Sequence, residues 1–339
     1  MRMSRGFTPA AVLGVLSAAA SAQLTPERAY YGRYRPIPMT VRVPPDAKGE
    51  PAIMLLEAVT AEPQRRAAVA PGAVNLAALF PALWGEGSPP SATPVLVYAQ
   101  LVVGEAKVGP AVVLQPMLDA PYSPLIEPTG EPRYRPSKGV YSGIRTYVEK
   151  QVVMETTLGD ITFALRPDAA PNTSWNFMQL CAGGFYTDIL FHRVKPLHPS
   201  GYPFVIQAGD PLQRPEPADS AAGEGGPGYT VNLEPSDKLP HDFGVLCMAR
   251  NNLPNSAGSQ FYIALSRKGT EHLDGKYTTF GQAVAGADVI LKIAAAELTL
   301  GTDRPKDPPV IKRCKLVDAP PYGEGPKPVM RPADEPKGR

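Results

Sequence analysis

The sequence predicts a mainly β protein of two domains, a small β-sandwich-like domain followed by a closed antiparallel barrel with two helices. In the N-terminal half, short apolar runs recur between Pro and Gly residues, which are typical of strand edges and turns. In the C-terminal half, many strand-like segments accompany one early and one late helical pattern, and closure into a barrel removes exposed sheet edges. The 339 residues are enough for two such domains.

The overall charge excludes several classes of partner. With 34 Lys and Arg against 32 Asp and Glu, the net charge is only +2, so neither nucleic acid nor an anionic membrane is an expected partner. The four histidines include no H-x-x-x-H pair, and the three cysteines have neither redox nor zinc-site spacing. The sequence therefore predicts no metal and no cofactor.

The first 22 residues have the pattern of a secretory signal peptide. Arg2 and Arg5 supply a positive segment, residues 10–20 are apolar, and Ala20-Ser21-Ala22 is a small-residue cleavage site. The apolar run is shorter than the roughly 20 residues that span a bilayer, which argues against a stable membrane anchor. We therefore expect an exported protein, periplasmic or extracellular.

Residues 23–118 are predicted to form the β-rich accessory domain. Met39, Val41 and Val43 alternate with Thr40 and Arg42, the period-2 pattern of a half-buried strand. Apolar runs at 53–59, 95–103 and 108–114 predict further strands, and 74–84 predicts an irregular insert or short helix. An interaction or targeting role, with a partner in the cell envelope, is the default expectation for this domain. Five prolines between 119 and 146 predict a semi-rigid linker by composition.

Residues 147–318 are predicted to form the second domain. Residues 152–156 and 160–165 predict a hairpin, and a helix is predicted from Pro171 to the stop at Gly183-Gly184. Strands are predicted at 189–194, 204–207, 244–249, 260–265, 278–282 and 310–317, and a second helix at 287–298. The tail, 319–339, is rich in Pro and charge and is predicted to be disordered.

Three stretches in this half share amide, aromatic and turn residues: 191–210, opening Phe-His-Arg-Val; 255–263, containing Gly-Ser-Gln-Phe-Tyr; and 272–281, containing Leu-Asp-Gly-Lys-Tyr. Together they resemble the cyclophilin-type peptidyl-prolyl cis-trans isomerases, over roughly residues 148–318. The resemblance implies an eight-stranded antiparallel barrel with a helix over each end. It also implies isomerase activity on X-Pro bonds of proline-containing polypeptides.

Such a reaction needs neither a nucleophile nor a cofactor. Amide resonance sets a barrier of about 20 kcal/mol, and the twisted transition state loses that resonance. An enzyme must hold the proline ring in an apolar pocket and offer a donor that fits the twisted form. Arg193 has the fixed, always charged N–H fork that suits this role, and the matching arginine is the principal catalytic residue of the family. An arbitrary arginine is more often a surface ion-pair residue.

The resemblance assigns roles to the other site residues. His192 takes a structural hydrogen-bonding role, and Gln207 and Gln260 orient Arg193 and the substrate backbone. The proline pocket and the strand end along which the peptide lies are formed by Phe204, Val205, Tyr262, Leu273, Ala249 and Arg250.

The site departs from the family pattern at several positions. Tyr262 stands where many members have Phe. His272 replaces the tryptophan of cyclosporin-sensitive members, which leaves drug affinity open, and Tyr277 replaces a common histidine at the pocket rim. The loop 195–203 is longer than usual and holds three prolines.

Two functions remain open from the sequence alone. The first is an exported isomerase that acts on X-Pro bonds. The alternative is a proline-recognising chaperone or scaffold with little turnover, in which the same groove only binds.

Overall fold

The computed structural model describes residues 23–44, 47–57, 63–84, 95–118, 122–126, 132–136, 140–215 and 223–332. The predicted signal peptide, residues 1–22, lies outside the described residues. So do residues 119–121, 127–131 and 137–139 of the predicted linker and residues 333–339 of the predicted tail.

The N-terminal region contains twelve strands among the described residues. They are β1 (Gln23–Pro26), β2 (Tyr30–Gly32), β3 (Pro38–Arg42), β4 (Pro51–Glu57), β5 (Pro63–Ala68), β6 (Gly72–Asn75), β7 (Val97–Val103), β8 (Ala106–Lys107), β9 (Val112–Leu118), β10 (Tyr122–Ile126), β11 (Pro132–Pro136) and β12 (Tyr141–Val148). Between β6 and β7 lie a short helix, α1 (Leu76–Leu79), and a 3-10 turn (Pro81–Trp84).

Two sheets of this region share one core. The smaller sheet has the order β1-β3-β6, and the larger has the order β2-β12-β9-β7-β4-β5, with β8 paired to β7. Met39 and Val41 on β3 are buried, as their alternation predicts, against Ile53 on β4, Leu101 on β7 and Val112 on β9. Apolar faces of two sheets thus meet in a sandwich-like arrangement, as the sequence predicts.

The segment predicted as a linker contains strands. β10 and β11 pair with each other, and β12 pairs with β9 and with β2. Proline is compatible with such a two-stranded ladder, because its missing N–H can lie on an outer edge. Gly143 makes the β12–β2 pairing possible, since a Cβ there would lie 2.1 Å from the Tyr31 carbonyl oxygen.

The C-terminal region is one curled sheet. Its strands are β13 (Lys150–Thr156), β14 (Gly159–Leu165), β15 (Ile189–Leu190), β16 (Arg193–Leu197), β17 (Pro203–Ala208), β18 (Val245–Met248), β19 (Phe261–Ala264), β20 (Thr279–Ala285) and β21 (Val310–Asp318). Their order is β15-β21-β13-β14-β20-β18-β19-β17-β16. The two edge strands, β15 and β16, are separated in the chain only by Phe191 and His192. The sheet therefore curls back on itself, and β15 with β16 acts as one interrupted strand of an eight-stranded barrel.

Helices and short turns flank the barrel. They are α2 (Pro171–Ala182), α3 (Arg267–Thr270), a 3-10 turn (Glu271–Leu273) and α4 (Ala287–Ala294). Proline begins α2, and the Glu234 carboxylate accepts hydrogen bonds from the backbone N–H groups of Asn172 and Thr173. Phe177 on α2 and Ile290 on α4 are fully buried in the barrel core with Phe261 and Phe280.

Within the tail predicted to be disordered, Tyr322 lies against the larger N-terminal sheet, whereas Val329 and Arg331 contact the barrel, donating to the carbonyls of Ala283 and Leu265 at 2.9 and 3.0 Å. The rings of Tyr322 and Tyr98 pack at 4.4 Å between centroids. The backbone N–H of Tyr322 donates to Gln100 Oε1 at 2.8 Å, and the backbone carbonyl of Tyr322 accepts from Lys107 Nζ at 2.8 Å. These contacts are spread thinly over a segment rich in Pro and charge, so composition alone does not indicate them.

No helix among the residues that the structure describes is both long enough and apolar enough to cross a bilayer.

Candidate active site

Three neighbouring strands, β16, β17 and β19, carry the candidate site. Arg193 lies directly opposite Gln207, and Gln207 lies opposite Tyr262. Residues opposite each other in antiparallel strands point to the same face. The other face of these strands contributes Ile206 and Phe261 to the barrel interior. The three site residues thus form a row on the outside of the barrel, backed by a packed core.

A chain of hydrogen bonds fixes the Arg193 guanidinium. Its Nε donates to Asp303 Oδ2 and its Nη1 to Gln207 Oε1, both at 3.1 Å. Gln207 Nε2 in turn donates to Gln260 Oε1 at 3.1 Å, and Gln260 Nε2 donates to the Gly225 carbonyl at 2.9 Å. Within the described part of the chain, Nη2 of Arg193 makes no hydrogen bond. The guanidinium is held at two nitrogens, and the third is available to a ligand.

The ion pair between Arg193 and Asp303 orients the guanidinium more than it stabilises the fold. Their side chains are 39% and 38% exposed, and ion pairs of that exposure contribute only about 0–1 kcal/mol. The effect of Asp303 is therefore geometric, because it fixes the direction of a planar group.

The site residues line one cleft of about 410 Å³, which we call the main cleft. It is lined by His192, Arg193, Phe204, Val205, Gln207, Gly223, Ala249, Arg250, Tyr262, Leu273, Tyr277, Thr302, Asp303 and Arg304. Val205 and Tyr262 are buried, and Phe204, Leu273 and Tyr277 pack partly exposed against them. An apolar wall and the Arg193 donor therefore border the same cavity.

The rim of the main cleft is fixed by Arg250. Its Nε and Nη2 donate to the Lys276 carbonyl at 3.2 and 2.8 Å, and its guanidinium carbon lies 4.3 Å from the centre of the Tyr277 ring. Tyr277 meets Tyr262 edge to face at 6.0 Å. Arg250 thus joins the segment after β18 to the aromatic wall of the cleft.

Gln260 and His272, two residues predicted to bind substrate, lie beside the main cleft and not in it. Gln260 lines a neighbouring cleft of about 710 Å³ with the segment 223–230. The His272 ring stacks on Phe204 at 5.9 Å, and His198, from the loop 195–203, packs on both rings. The long loop therefore adds a third ring to the outer edge of the pocket.

His192 lies in the break between β15 and β16. It is buried, and neither ring nitrogen has a hydrogen-bond partner of normal geometry among the residues described. Burial lowers the pKa of His192 to about 4, opposed by the negative charge of Asp210 and assisted by the positive charges of Arg304 and Arg193. The imidazole is therefore neutral at pH 7, and the described residues do not supply the hydrogen bond predicted for it.

Sequence reasoning missed the segment between α4 and β21. Thr302, Asp303 and Arg304 line the main cleft, and the Asp303 carbonyl accepts a hydrogen bond from the Val194 N–H at 2.7 Å. No motif indicates this contact. The only signal is an acidic residue in the connection that leads to the closing strand.

Comparison with known proteins gives consistent results for the C-terminal half. A family model described as cyclophilin type peptidyl-prolyl cis-trans isomerase/CLD matches residues 151–316. Peptidyl-prolyl cis-trans isomerase-like 1 of Aspergillus fumigatus is 38% identical over 168 residues, which are 49% of this chain and 95% of the relative. Peptidyl-prolyl cis-trans isomerase CYP18-2 of Arabidopsis thaliana is 35% identical over 169 residues, 50% of this chain and 94% of the relative.

Among solved structures, a cyclophilin type peptidyl-prolyl cis-trans isomerase of Cryptosporidium parvum is 28% identical, with a TM-score of 0.43. The match covers 51% of this chain and 99% of the Cryptosporidium chain. The family match and the close relatives agree with the barrel topology and with the three motifs. The chain belongs, through its C-terminal half, to the cyclophilin-type peptidyl-prolyl cis-trans isomerases and is an enzyme of that class.

Proposed function

We propose that the protein accelerates cis-trans exchange at X-Pro bonds of exported polypeptides, with Arg193 as the donor that stabilises the twisted amide. In this mechanism the proline ring enters the main cleft and packs against the apolar wall formed by Phe204, Tyr262 and Leu273. The observation that carries the proposal is the Arg193 guanidinium, held by Asp303 and Gln207 with Nη2 left to a ligand.

The chemistry follows from the amide. In the planar forms the proline nitrogen shares its lone pair with the carbonyl, so the nitrogen is a poor acceptor. Twisting returns the lone pair to nitrogen, which then accepts a hydrogen bond from a well-placed N–H group. A donor fixed in advance stabilises the twisted form more than either planar form, which is the requirement for catalysis.

The remaining site residues position the arginine and the peptide. The Gln207 amide links Arg193 to Gln260, because its oxygen accepts from Arg193 and its nitrogen donates to Gln260. The position of Gln260 therefore helps to fix that of Arg193. His192, neutral at pH 7, adds no second positive charge beside Arg193. Ala249 and Arg250, at the end of β18, lie where an extended peptide backbone runs beside the pocket. Val205 and Tyr277 complete the apolar surface around the ring, and His272 stacks on Phe204 at the outer edge of the pocket.

Export and the role of the N-terminal region are part of the same proposal. The basic, apolar and small-residue segments of 1–22 support secretion to the periplasm or beyond. The β-rich N-terminal region would then hold the isomerase near clients or an envelope partner. Recovery of protein that begins at Gln23 from the exported fraction is the expected result. Full-length protein in the cytosolic fraction would contradict export.

The isomerase mechanism is tested on residues 23–339 and the Arg193→Ala variant. Exchange NMR or a protease-coupled assay on an X-Pro peptide measures kcat/KM. Loss of one pre-oriented donor costs about 100-fold to 1,000-fold in rate, so we expect kcat/KM to fall by that factor while peptide affinity changes little. Arg313→Ala is the matched control, because Arg313 is also a strand arginine in an exposed ion pair but lies outside the main cleft.

Equal rates for Arg193→Ala and Arg313→Ala would remove Arg193 from the mechanism. Binding without acceleration in every variant would favour the chaperone or scaffold role over turnover of the peptides tested.

A further inference from the structure

We propose that His241 and Asp274 are positioning residues that turn the Tyr262 hydroxyl away from the proline pocket, so that the pocket wall offers substrate no hydrogen-bond donor. The inference rests on the proline pocket proposed above and concerns residues outside it. Neither His241 nor Asp274 lines the main cleft.

The three side chains form a continuous chain of hydrogen bonds through the barrel wall. The Tyr262 hydroxyl lies 2.8 Å from His241 Nε2, and His241 Nδ1 lies 2.8 Å from Asp274 Oδ1. The backbone N–H of His241 donates to the same Asp274 oxygen at 2.9 Å, and Arg267 Nη1 lies 2.5 Å from Asp274 Oδ2. His241 is fully buried, and its ring is nearly parallel to that of Tyr262, with an angle of 12° between the planes.

The charges decide which atom donates at each step. Burial opposes ionisation of Asp274, but the hydrogen bonds from His241 and Arg267 outweigh it and lower the pKa of the carboxyl. An ionised carboxylate only accepts, so Nδ1 of His241 carries a proton. Burial lowers the pKa of His241, so the ring is neutral and its Nε2 has no proton. Nε2 therefore accepts, and the Tyr262 hydroxyl donates to it.

The direction of this bond matters for the pocket. Tyr262 stands in the aromatic wall of the main cleft, and burial raises the pKa of its phenol, which stays protonated. With its proton committed to His241, the phenol has no donor left for water or for a substrate carbonyl. The wall therefore behaves like that of a phenylalanine, and proline enters without displacing a bound water.

Protonation of His241 would reverse the arrangement. Both ring nitrogens would then donate, and the Tyr262 oxygen would have to accept and turn its own proton elsewhere. Among the described residues, the titratable and charged groups around this chain are Arg267, His272, Tyr277, Arg250 and Cys247, which lies opposite Tyr262 on β18. In acid, the pocket wall would thus present a donor, and proline would bind less tightly.

The test measures kcat and KM separately from pH 8 down to the lowest pH at which the protein stays folded, for the wild type, Tyr262→Phe and His241→Gln. We expect KM of the wild type to rise roughly tenfold, the equivalent of about one hydrogen bond, as His241 becomes protonated, with a smaller change in kcat. Tyr262→Phe has no hydroxyl to turn, and His241→Gln stays neutral, so KM of both should vary little with pH. The same rise of KM in Tyr262→Phe would overturn the proposal.

Two further measurements keep the test decisive. If either variant fails to fold, the ¹⁵N NMR spectrum of the wild type reports which ring nitrogen of His241 is protonated. Protonation at Nδ1 supports the chain of donors, and protonation at Nε2 overturns it. Failure of the Arg193→Ala test would remove the proposed catalytic donor without changing the tautomer, so the two proposals can fail separately.

Discussion

The outer faces of the two large sheets are used in opposite ways. On the N-terminal sheet, Tyr98 and its apolar neighbours are covered by Tyr322 and Tyr147 from the same chain; we call this the closed face. On the barrel, the strands β16, β17 and β19 leave the main cleft accessible, which we call the open face.

Hydrogen bonding distinguishes the two faces. On the closed face, Gln100 is fully buried and satisfied, since its Nε2 lies 2.9–3.1 Å from the carbonyls of Leu101, Val108 and Gly109 and its Oε1 accepts from Tyr322. On the open face, Arg193 keeps one nitrogen without a partner among the described residues. Unused hydrogen-bonding capacity at a fixed, partly exposed group therefore distinguishes a ligand site from an internal junction.

Raising the pH should destabilise the closed face through Glu149, which lines a cavity together with Tyr98 and Tyr322. Burial, and secondarily the charge of Asp168, raise the pKa of Glu149 to about 8. An unfolded glutamate titrates near 4.3, so between about pH 4.5 and pH 8 the folded state binds more protons and its stability falls as pH rises. We expect the unfolding free energy of Glu149→Gln to exceed that of the wild type by about 4 kcal/mol at pH 8, with little difference near pH 4.5.

Urea unfolding at the two pH values measures this difference. Glu155→Gln is the control, because Glu155 is a half-buried carboxylate paired with Arg313 and Lys315, which lower its pKa. If Glu149→Gln lost stability with rising pH as steeply as the wild type, Glu149 would not be the group responsible.

The open face has the opposite pH dependence. His192 has its pKa lowered to about 4, mainly by burial, whereas an unfolded histidine titrates near 6.5. The unfolded state therefore binds more protons as pH falls from about 6.5 to 4, and stability declines over that range by about 2 kcal/mol. His192→Gln should flatten this acid decline in urea unfolding, and an unchanged decline would assign it to another group.

A smaller effect is expected on the open face when the charged partner of Arg193 is made neutral. Asp303→Asn keeps the shape of the partner of Arg193 but removes its charge, and charge-assisted hydrogen bonds are about twice as strong as neutral ones. We expect kcat/KM to fall about tenfold, which corresponds to about 1.4 kcal/mol, with little change in unfolding free energy. Glu297→Gln, whose exposed partner is Lys306, is the control on the same connection. Equal activity of the two variants would contradict an orienting role for Asp303.

The barrel was predictable to a large extent because its strand and helix signals are local. The hairpin β13–β14, the start of α2 at Pro171 and the closing strand β21 match the sequence patterns closely. β12 was not foreseen, because proline-rich composition hides a strand whose partners lie far away in sequence.

The site, too, was predictable only where its residues lie in local sequence motifs. Ten of the twelve residues singled out from the motifs line the main cleft, with Gln260 and His272 beside it. Their roles in binding and catalysis stay predictions until the variants are measured. Asp303 and His241 lie outside the motifs, and they reach the site only when β16 and β19 take their places in the closed sheet. Local patterns do not encode such contacts.

The anchoring of Tyr322 has a consequence for biosynthesis. A ribosome releases the N-terminal strands long before it reaches Tyr322, since Gln100 is 222 residues away from the N–H group that completes its hydrogen bonding. During that interval Tyr98 lacks its contact with the Tyr322 ring, and a product truncated before Tyr322 never gains it. Synthesis of Tyr322 thus completes the closed face, and chains terminated before it would be recognisable by their exposed aromatic surface.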